Sequence, residues 1–429
     1  MPGTGETAHP WRLRTSNDLP ATADLVIVGG GIVGCATAFF ATGAGLRTLV
    51  LDARPRPATL TTPASTGAFR LQFDNAEEIA LVREGAELFG DFAERTGLAG
   101  YDLGLRRNGY LFCAREETSL GRQRRMVATQ AAAGLTDVEL LTGDEARARF
   151  PYLSADVLGA RFRAADGFLD PVRLAMGFAL AASGGTGVER AAGTATAAFC
   201  LGTRVTGLRR SGDRLLAVET TQGAISANQV ALATGPFLGP VAALAGLSVD
   251  IRLVRRQKLV LPDVPEVPPN APMTISEETA AHWRPALGGA YLLFTDPTTT
   301  PSDALWNVPT GADFAFRLLD PDGPTSVAAV TPFWRGVWER GASWFLQAGQ
   351  YEYTADRRPF IGPTRIRGLA LNGGYSGHGI MGSTGGSRLL VDLLTNRTTG
   401  PDWGIRPNGT DDNPFRLDRP MPEREFDIL

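Results

Sequence analysis

The chain has 429 residues, 43% of them hydrophobic and 20% charged, with a formal net charge of −3, the profile of a globular protein of two domains. That charge gives no electrostatic footing for nucleic acid or an anionic membrane, and no stretch reaches the roughly 18 apolar residues of a membrane span. Three scattered cysteines, Cys35, Cys113 and Cys200, suit a reducing, cytoplasmic setting and neither a disulfide framework nor a zinc site.

Residues 1–22 contain no basic segment followed by an apolar one and read as a flexible polar leader, not a signal peptide. Leu25 to Val28 then predicts a short buried strand. Gly29, Gly31 and Gly34 form G-x-G-x-x-G, Cys35 to Ala44 predicts a helix closed by Gly45, and Thr48 to Leu51 a second strand ending in Asp52. Strand, glycine turn, helix, strand and acid in this order make a dinucleotide-binding fingerprint. Gly29 permits the tight turn, Gly31 lets a pyrophosphate approach the backbone, and Gly34 lets the helix lie close on the strand. The helix N-terminus offers free N–H groups and partial positive charge to the phosphates. Asp52 stands 18 residues after Gly34, close to where an acid accepts hydrogen bonds from ribose hydroxyls. The fingerprint alone leaves NAD and FAD both open.

Residues 53–73, rich in proline and hydroxyl side chains, predict a loop in which Ser65, Thr66 and Gly67 can bring donors to a cofactor, followed by Arg70 between Phe69 and Phe73. Asn75 to Thr96 predicts one amphipathic helix, residues 100–115 a hairpin, Glu116 to Ala133 a helix, and 144–150 a short helix stopped by Pro151. Ala160 to Arg163 predicts a strand, Asp166-Gly167 a turn, and Val172 to Ser183 a helix opened by Asp170-Pro171. The stretches 202–210, 215–221 and 223–227 predict a small antiparallel sheet, with Val230 to Ala233 a separate buried strand. Further on, strands are expected at 251–261, 291–294, 344–353 and 369–371, loop at 305–322, and helix at 326–339 interrupted by Pro332. A glycine-rich stretch, GYSGHGIMGSTGG at 374–386, leads into a helix from Ser387 to Leu394, and 400–429 reads as a polar tail.

Of the 42 lysines and arginines only Lys258 is lysine. Arginine replaces lysine on a surface at little cost, but not where a compact ammonium of adjustable pKa is needed. Lys258 is therefore a candidate functional residue.

The motifs GGGIVG, ASTGAFRLQF, GFLDP (167–171), ATGP (233–236), ADRRPFIGP (355–363) and the last glycine-rich stretch stand in the order seen in the D-amino-acid-oxidase superfamily. Over about residues 23–418 the chain resembles its sarcosine-oxidase and glycine-oxidase branch. That resemblance implies FAD over NAD. It also implies an α/β fold: a Rossmann-like FAD-binding domain of the GR2 type (23–100, 160–240, 355–429) with an inserted α+β substrate domain (101–159, 241–354) on a large mixed or antiparallel sheet. By the same resemblance Gly29, Gly31, Gly34 and Asp52, with the flanking Ile32, Val33, Ala53 and Arg54, bind the ADP half. Ser65, Thr66 and Gly67 pass near the pyrophosphate and flavin, Val205 meets the adenine side, and Ala233, Thr234 and Gly235 end the strand near the ADP. Gly374, Ser376, Gly377, His378, Gly379, Ile380 and Met381 form the loop at the flavin edge. Arg70 matches an arginine that binds the substrate carboxylate, and Tyr351 and Met381 are further substrate-binding candidates. His378 is an expected catalytic-loop residue that orients the loop or touches the flavin edge, and Lys258 a candidate for promoting reaction with oxygen.

The departures from the family pattern are informative. The positions where members with covalent flavin carry cysteine or histidine hold neither, which implies non-covalent FAD. A second carboxylate-binding lysine is replaced by Met381, which halves the usual grip.

The expectation is oxidation of a C–N bond in an amine or amino acid, giving an imine, with oxygen as the acceptor, by a monomer or homodimer. A dehydrogenase of amino or 2-hydroxy acids that uses a carrier is the enzymatic rival. A flavin-binding scaffold without turnover is the other.

Overall fold

The computed structural model describes residues 11–185, 195–397 and 413–421. The expected opening unit forms as β1 (Thr22–Val28), α1 (Ile32–Gly43) and β2 (Thr48–Asp52). The segment read as loop contains one helical turn, α2 (Thr61–Ala64), and β3 (Ala68–Phe69). Pro63 does not prevent the turn, because first-turn N–H groups have no intrahelical partner to lose. The single helix expected at 75–96 is two, α3 (Ala76–Gly90), capped by the Asn75 side chain on Glu78 N–H, and α4 (Phe92–Thr96).

The hairpin expected at 100–115 is absent. Only β4 (Tyr110–Ala114) is a strand; Gly100, Gly104 and Gly109 carry positive φ and keep the preceding segment irregular. After α5 (Glu117–Ala132), β5 (Glu139–Thr142), α6 (Gly143–Arg149), β6 (Gly159–Arg163) and β7 (Gly167–Phe168) comes α7 (Pro171–Ala182), whose N-cap Asp170 accepts from Val172 and Arg173 N–H. Then follow β8 (Ala197–Leu201), β9 (Val205–Ser211), β10 (Arg214–Thr220) and β11 (Gly223–Leu232). β11 joins what the sequence reading separates into two strands, because its first half pairs with β10 and its second half with a parallel neighbour.

The rest comprises α8 (Leu238–Ala243), β12 (Arg252–Leu261), β13 (Met273–Ser276), β14 (His282–Ala286), β15 (Gly289–Leu293), α9 (Asp313–Leu319), α10 (Phe333–Arg340), β16 (Phe345–Tyr353), β17 (Phe360–Pro363), β18 (Leu369–Gly373) and α11 (Gly379–Thr395). α9 lies inside a stretch expected to be loop. α11 begins eight residues before the expected Ser387. Tertiary packing overrides the low helix propensity of glycine there: a Cβ on Gly385 would lie 3.0 Å from the Leu81 carbonyl carbon and closer still to its oxygen.

Two eight-stranded sheets result. The first runs β17-β18-β11-β1-β2-β8, parallel from β18 to β8, with β10 and β9 extending from β11. Its central strands are buried apolar runs, as a parallel sheet covered on both faces requires. α1, α3, α7 and α11 close one face around Leu25, Ile27, Phe89, Phe178 and Leu390. The second runs β16-β12-β15-β14-β13-β4-β6-β5, antiparallel except at β13–β4. β6, at the start of the second expected FAD segment, pairs in this second sheet. Its outer face packs Trp283 and Trp334 under α9 and α10, while Trp338 and Phe345 are exposed. The leader falls partly on residues 1–10, outside the described residues; Thr15 bridges to Phe199 beside β8.

Candidate functional site: a cavity at the strand ends

The first sheet ends in a cavity of about 410 Å³ at the C-terminal ends of β1, β2 and β11, lined by Val28, Leu51, Asp52 and Ala233 among others. This is the crevice where parallel α/β sheets bind ligands. The three fingerprint glycines have different reasons to be glycine. Gly29 has φ 109°, and a Cβ there would lie 2.8 Å from the Ala233 carbonyl carbon. A Cβ on Gly34 would lie 2.9 Å from the Gly29 carbonyl carbon and overlap its oxygen. Gly31 is free of such crowding: its Cβ would meet nothing closer than Thr62 Oγ1 at 3.6 Å, and it lines the cavity. The protein itself therefore does not demand glycine at 31, whereas a close-approaching ligand does.

Asp52 is organised before any ligand arrives. Oδ2 accepts from Gly30 N–H at 2.6 Å and Oδ1 from Arg54 N–H at 2.7 Å. Burial raises its pKa and these two donors oppose the rise. Each oxygen keeps lone-pair capacity for a ribose hydroxyl.

Ile32, Val33, Ala53, Arg54, Ser65, Val205, Thr234, Gly235, Gly377, Gly379 and Ile380 also line the cavity, as expected of them. Others expected there stand behind the wall. Gly67 N–H donates to Ser65 Oγ at 3.0 Å, and the Thr66 carbonyl accepts from Arg284 Nε at 2.7 Å. Gly374 and Ser376 have positive φ, and Ser376 N–H donates to the Glu352 carbonyl at 3.0 Å. His378 caps α11 with its ring edge-on to Phe73 at 5.1 Å. Met381 is buried in the helical core and is not among the cavity-lining residues. Tyr351 lines the cavity, its ring so close to Gly377 that a Cβ there would lie 2.7 Å from Cδ2.

Several lining residues escape sequence reasoning. Glu352 is half-buried and burial lifts its carboxyl to about 7; Oε2 is enclosed and has no hydrogen-bond partner. Thr234 Oγ1 is likewise buried and unpartnered. Two orphaned polar atoms, a glycine cradle and a pre-organised acid fit an adenine dinucleotide with a polyhydroxylated chain, because buried polar groups are otherwise satisfied. Phe237 and Trp306 stack at 4.1 Å on the rim. The only signal for Glu352 is its place beside Tyr351 on a strand. Trp306 comes from a loop with no pattern.

A cluster of buried cations lies between this loop region and the second sheet. Arg70 is 3% exposed, with its guanidinium 4.7 Å from the Phe73 ring and 5.9 Å from Phe112. Nη1 donates to the Gln72 carbonyl at 3.3 Å. Lys258, from β12, donates to the carbonyls of Pro63 at 2.8 Å and Ser65 at 2.9 Å, and lies 4.4 Å from the Tyr291 ring. Burial, then the neighbouring Arg284, pulls its pKa down to about 7. His282, which carries no sequence signal, is half-buried on the same face; burial, with Arg70 adding to it, pulls it to about 4, so it stays neutral at physiological pH. No group of acids, histidines and cysteines among the described residues can hold a metal.

The family described as FAD dependent oxidoreductase (DAO) matches residues 24–393. Mitochondrial sarcosine dehydrogenase of Mus musculus is 27% identical over 376 residues, which cover 85% of this chain and 39% of that protein. The chain thus spans about two fifths of the sarcosine dehydrogenases it matches. Sarcosine oxidase subunit beta of Arthrobacter sp is 25% identical over 90% of this chain and 91% of its own length. The structure of glycine oxidase from Geobacillus kaustophilus shares the fold, with a TM-score of 0.76 at 23% identity over 94% of this chain and all of that one. No helix among the described residues is long and apolar enough to cross a membrane.

Proposed function

The chain belongs to the FAD dependent oxidoreductase family, and from that membership and its likeness to sarcosine dehydrogenase and sarcosine oxidase we propose that it acts on an amine donor, oxidising the C–N bond of a carboxylate-bearing amine with oxygen as acceptor. In this reaction a CH–NH unit becomes C=N. Water hydrolyses the imine to a carbonyl and an amine, and oxygen takes up two electrons and two protons as peroxide. FAD, when bound, supplies the two-electron oxidation; the protein orients and shields.

The observation that carries this reading is Arg70, a buried guanidinium among Phe73, Tyr110 and Phe112. A planar cation in an apolar enclosure grips a carboxylate strongly and bidentately, fixing which C–H faces the ring. His282 and Tyr110, neutral there, add polar contact without competing charge. The Asp52 carboxylate and the N–H groups at the start of α1 that Thr62 leaves open would hold the ADP half. Glu352 and Thr234 offer hydrogen bonds further along the cavity. All three cysteines are buried and none lines the cavity, which supports non-covalent FAD. Lys258 acts through the Pro63 and Ser65 carbonyls it holds, fixing the segment that carries Ser65 to the cavity wall.

The test is anaerobic mixing with N-methyl amino acids, cyclic imino acids, D- and L-amino acids, simple amines and 2-hydroxy acids, followed by visible absorption. Bleaching by carboxylate-bearing amines and by no simple amine is expected. Bleaching only by 2-hydroxy acids, or none at all with flavin that dithionite reduces, overturns the reading.

A further inference from the structure

A second buried arginine stands next to Arg70 and has no evident counterpart. Arg161 lies on β6, directly opposite Phe112 of β4, and is 4% exposed. Its guanidinium carbon is 4.1 Å from the centre of the Phe112 ring, the same ring that Arg70 approaches to 5.9 Å. Arg161 Nε and Nη1 are buried and make no hydrogen bond. An unpaired buried charge is among the most destabilising features a fold can carry, so the cation calls for a partner.

The protein's own acids do not provide one directly. Asp166 is spent: it accepts from Arg163 Nη1 at 2.5 Å, Gln72 Nε2 at 2.9 Å and Leu71 N–H at 3.0 Å. Glu277 attracts Arg161 electrostatically, yet its hydrogen bond is from Gln123 Nε2 at 3.3 Å. Arg70, of like charge, opposes Arg161. Burial lowers the Arg161 pKa to about 10, which still leaves it charged at neutral pH.

We propose that the substrate carries a second anionic group and that Arg161 binds it beside Phe112, while Arg70 binds the carboxylate next to the reacting carbon. The substrate class is an amino- or imino-dicarboxylate, with two carboxylates spaced to reach two guanidiniums that share one aromatic ring. This inference rests on the amine-oxidation reading and narrows it. It also accounts for the absence of a second cation at Met381: the positive charge is placed at the far carboxylate instead of doubled at the near one.

The test uses flavin-loaded protein and unreactive acids: butyrate as the monocarboxylate, and succinate, glutarate and adipate as dicarboxylates, titrated against the visible flavin spectrum. At least one dicarboxylate should perturb it at a concentration ten or more times lower than butyrate. Arg161→Gln should erase that preference while the butyrate constant stays within twofold, and Arg161→Lys should keep part of it. Equal binding of all four acids by the wild-type protein overturns the proposal, as does an equal loss for butyrate and dicarboxylates in R161Q, which marks Arg161 as a structural partner of Glu277 through water. If R161Q does not fold, the wild-type ratio and R161K decide. Should butyrate and the dicarboxylates all fail to perturb the wild-type flavin, the carboxylate role of Arg70 fails first, which separates that failure from this one.

Discussion

Replacing Gly31 by alanine tests the cofactor site apart from the fold. The new Cβ would meet only Thr62 Oγ1 at 3.6 Å, an ordinary contact. Gly31 has φ −74° and ψ −174°, which alanine adopts freely. Stiffening the unfolded chain favours alanine by about 0.4–1 kcal/mol, and alanine is a poorer helix N-cap than glycine by a similar amount, so the net change in stability should be near zero. FAD binding should suffer. The Cβ projects where a pyrophosphate must approach the helix N-terminus, and losing one or two charge-assisted hydrogen bonds there costs about 2–4 kcal/mol. That is roughly a 30- to 1,000-fold rise in the dissociation constant. Gly34→Ala is the contrast: its Cβ would lie 2.9 Å from the Gly29 carbonyl carbon, an overlap with rigid backbone that costs about 1–3 kcal/mol or more of stability. The assay is flavin titration of apoprotein by fluorescence, with thermal melting by far-UV circular dichroism. A G31A protein that binds FAD as the wild type does, or that melts as G34A does, would refute the reasoning.

The other predictions concern charges. Arg70→Met should raise the dissociation constant of carboxylate ligands by about 100-fold, the worth of roughly 3 kcal/mol for a bidentate ion pair, with the FAD constant little changed; carboxylate binding within threefold of wild type sinks the assignment. Glu352 keeps its proton up to about 7 when folded against an ordinary 4.5, so the folded state binds more protons between those values and stability falls as pH rises through them. Glu352→Gln should remove that fall, gaining up to about 3 kcal/mol at pH 8 and nothing at pH 4, as read from denaturant melts of apoprotein at both pH values. Lys258→Met leaves the Pro63 and Ser65 carbonyls without donors and should weaken FAD binding and slow reoxidation by oxygen. Because Lys258 is held near 7 against 10.5, the unfolded chain binds the extra proton between those values. Wild-type stability relative to K258M should therefore rise with pH across that window; a flat difference speaks against a buried ammonium.

The cofactor half of the site was legible because backbone geometry dictates its residues. Gly29, Gly34 and Asp52 stand where a tight turn, a helix lying on a strand and an acid after the second strand require them, and all are found in those places. The ends of α11 and β11 were not legible. Glycine in α11 is there for contact with Leu81, a residue about 300 positions away, and the pairing of β11 with β18 involves residues about 140 apart. The substrate side was least legible. Arg161 and His282 matter because of what surrounds them, and on a strand an inward-pointing arginine has the same sequence signature as an outward one. Lys258 was found for a compositional reason, and the structure supplies the physical one.

That reason concerns how the two sheets are joined at the cofactor. Pro63 in α2, and Ser65 and Thr66 in the loop that follows it, turn their carbonyls towards the second sheet, where Lys258 takes the first two and Arg284 the third. With the carbonyls engaged there, Ser65 and the Thr62 hydroxyl remain on the cavity wall. Arg284 fits because its forked donors converge on one carbonyl while its plane lies 4.5 Å from both Phe168 and Tyr291. Lys258 satisfies two carbonyls from a single atom at 2.8 and 2.9 Å, a geometry that suits a compact ammonium better than a planar guanidinium. A chain that otherwise uses arginine throughout thus keeps one lysine where a point donor is required. The same contacts join the second sheet to the wall of the cavity.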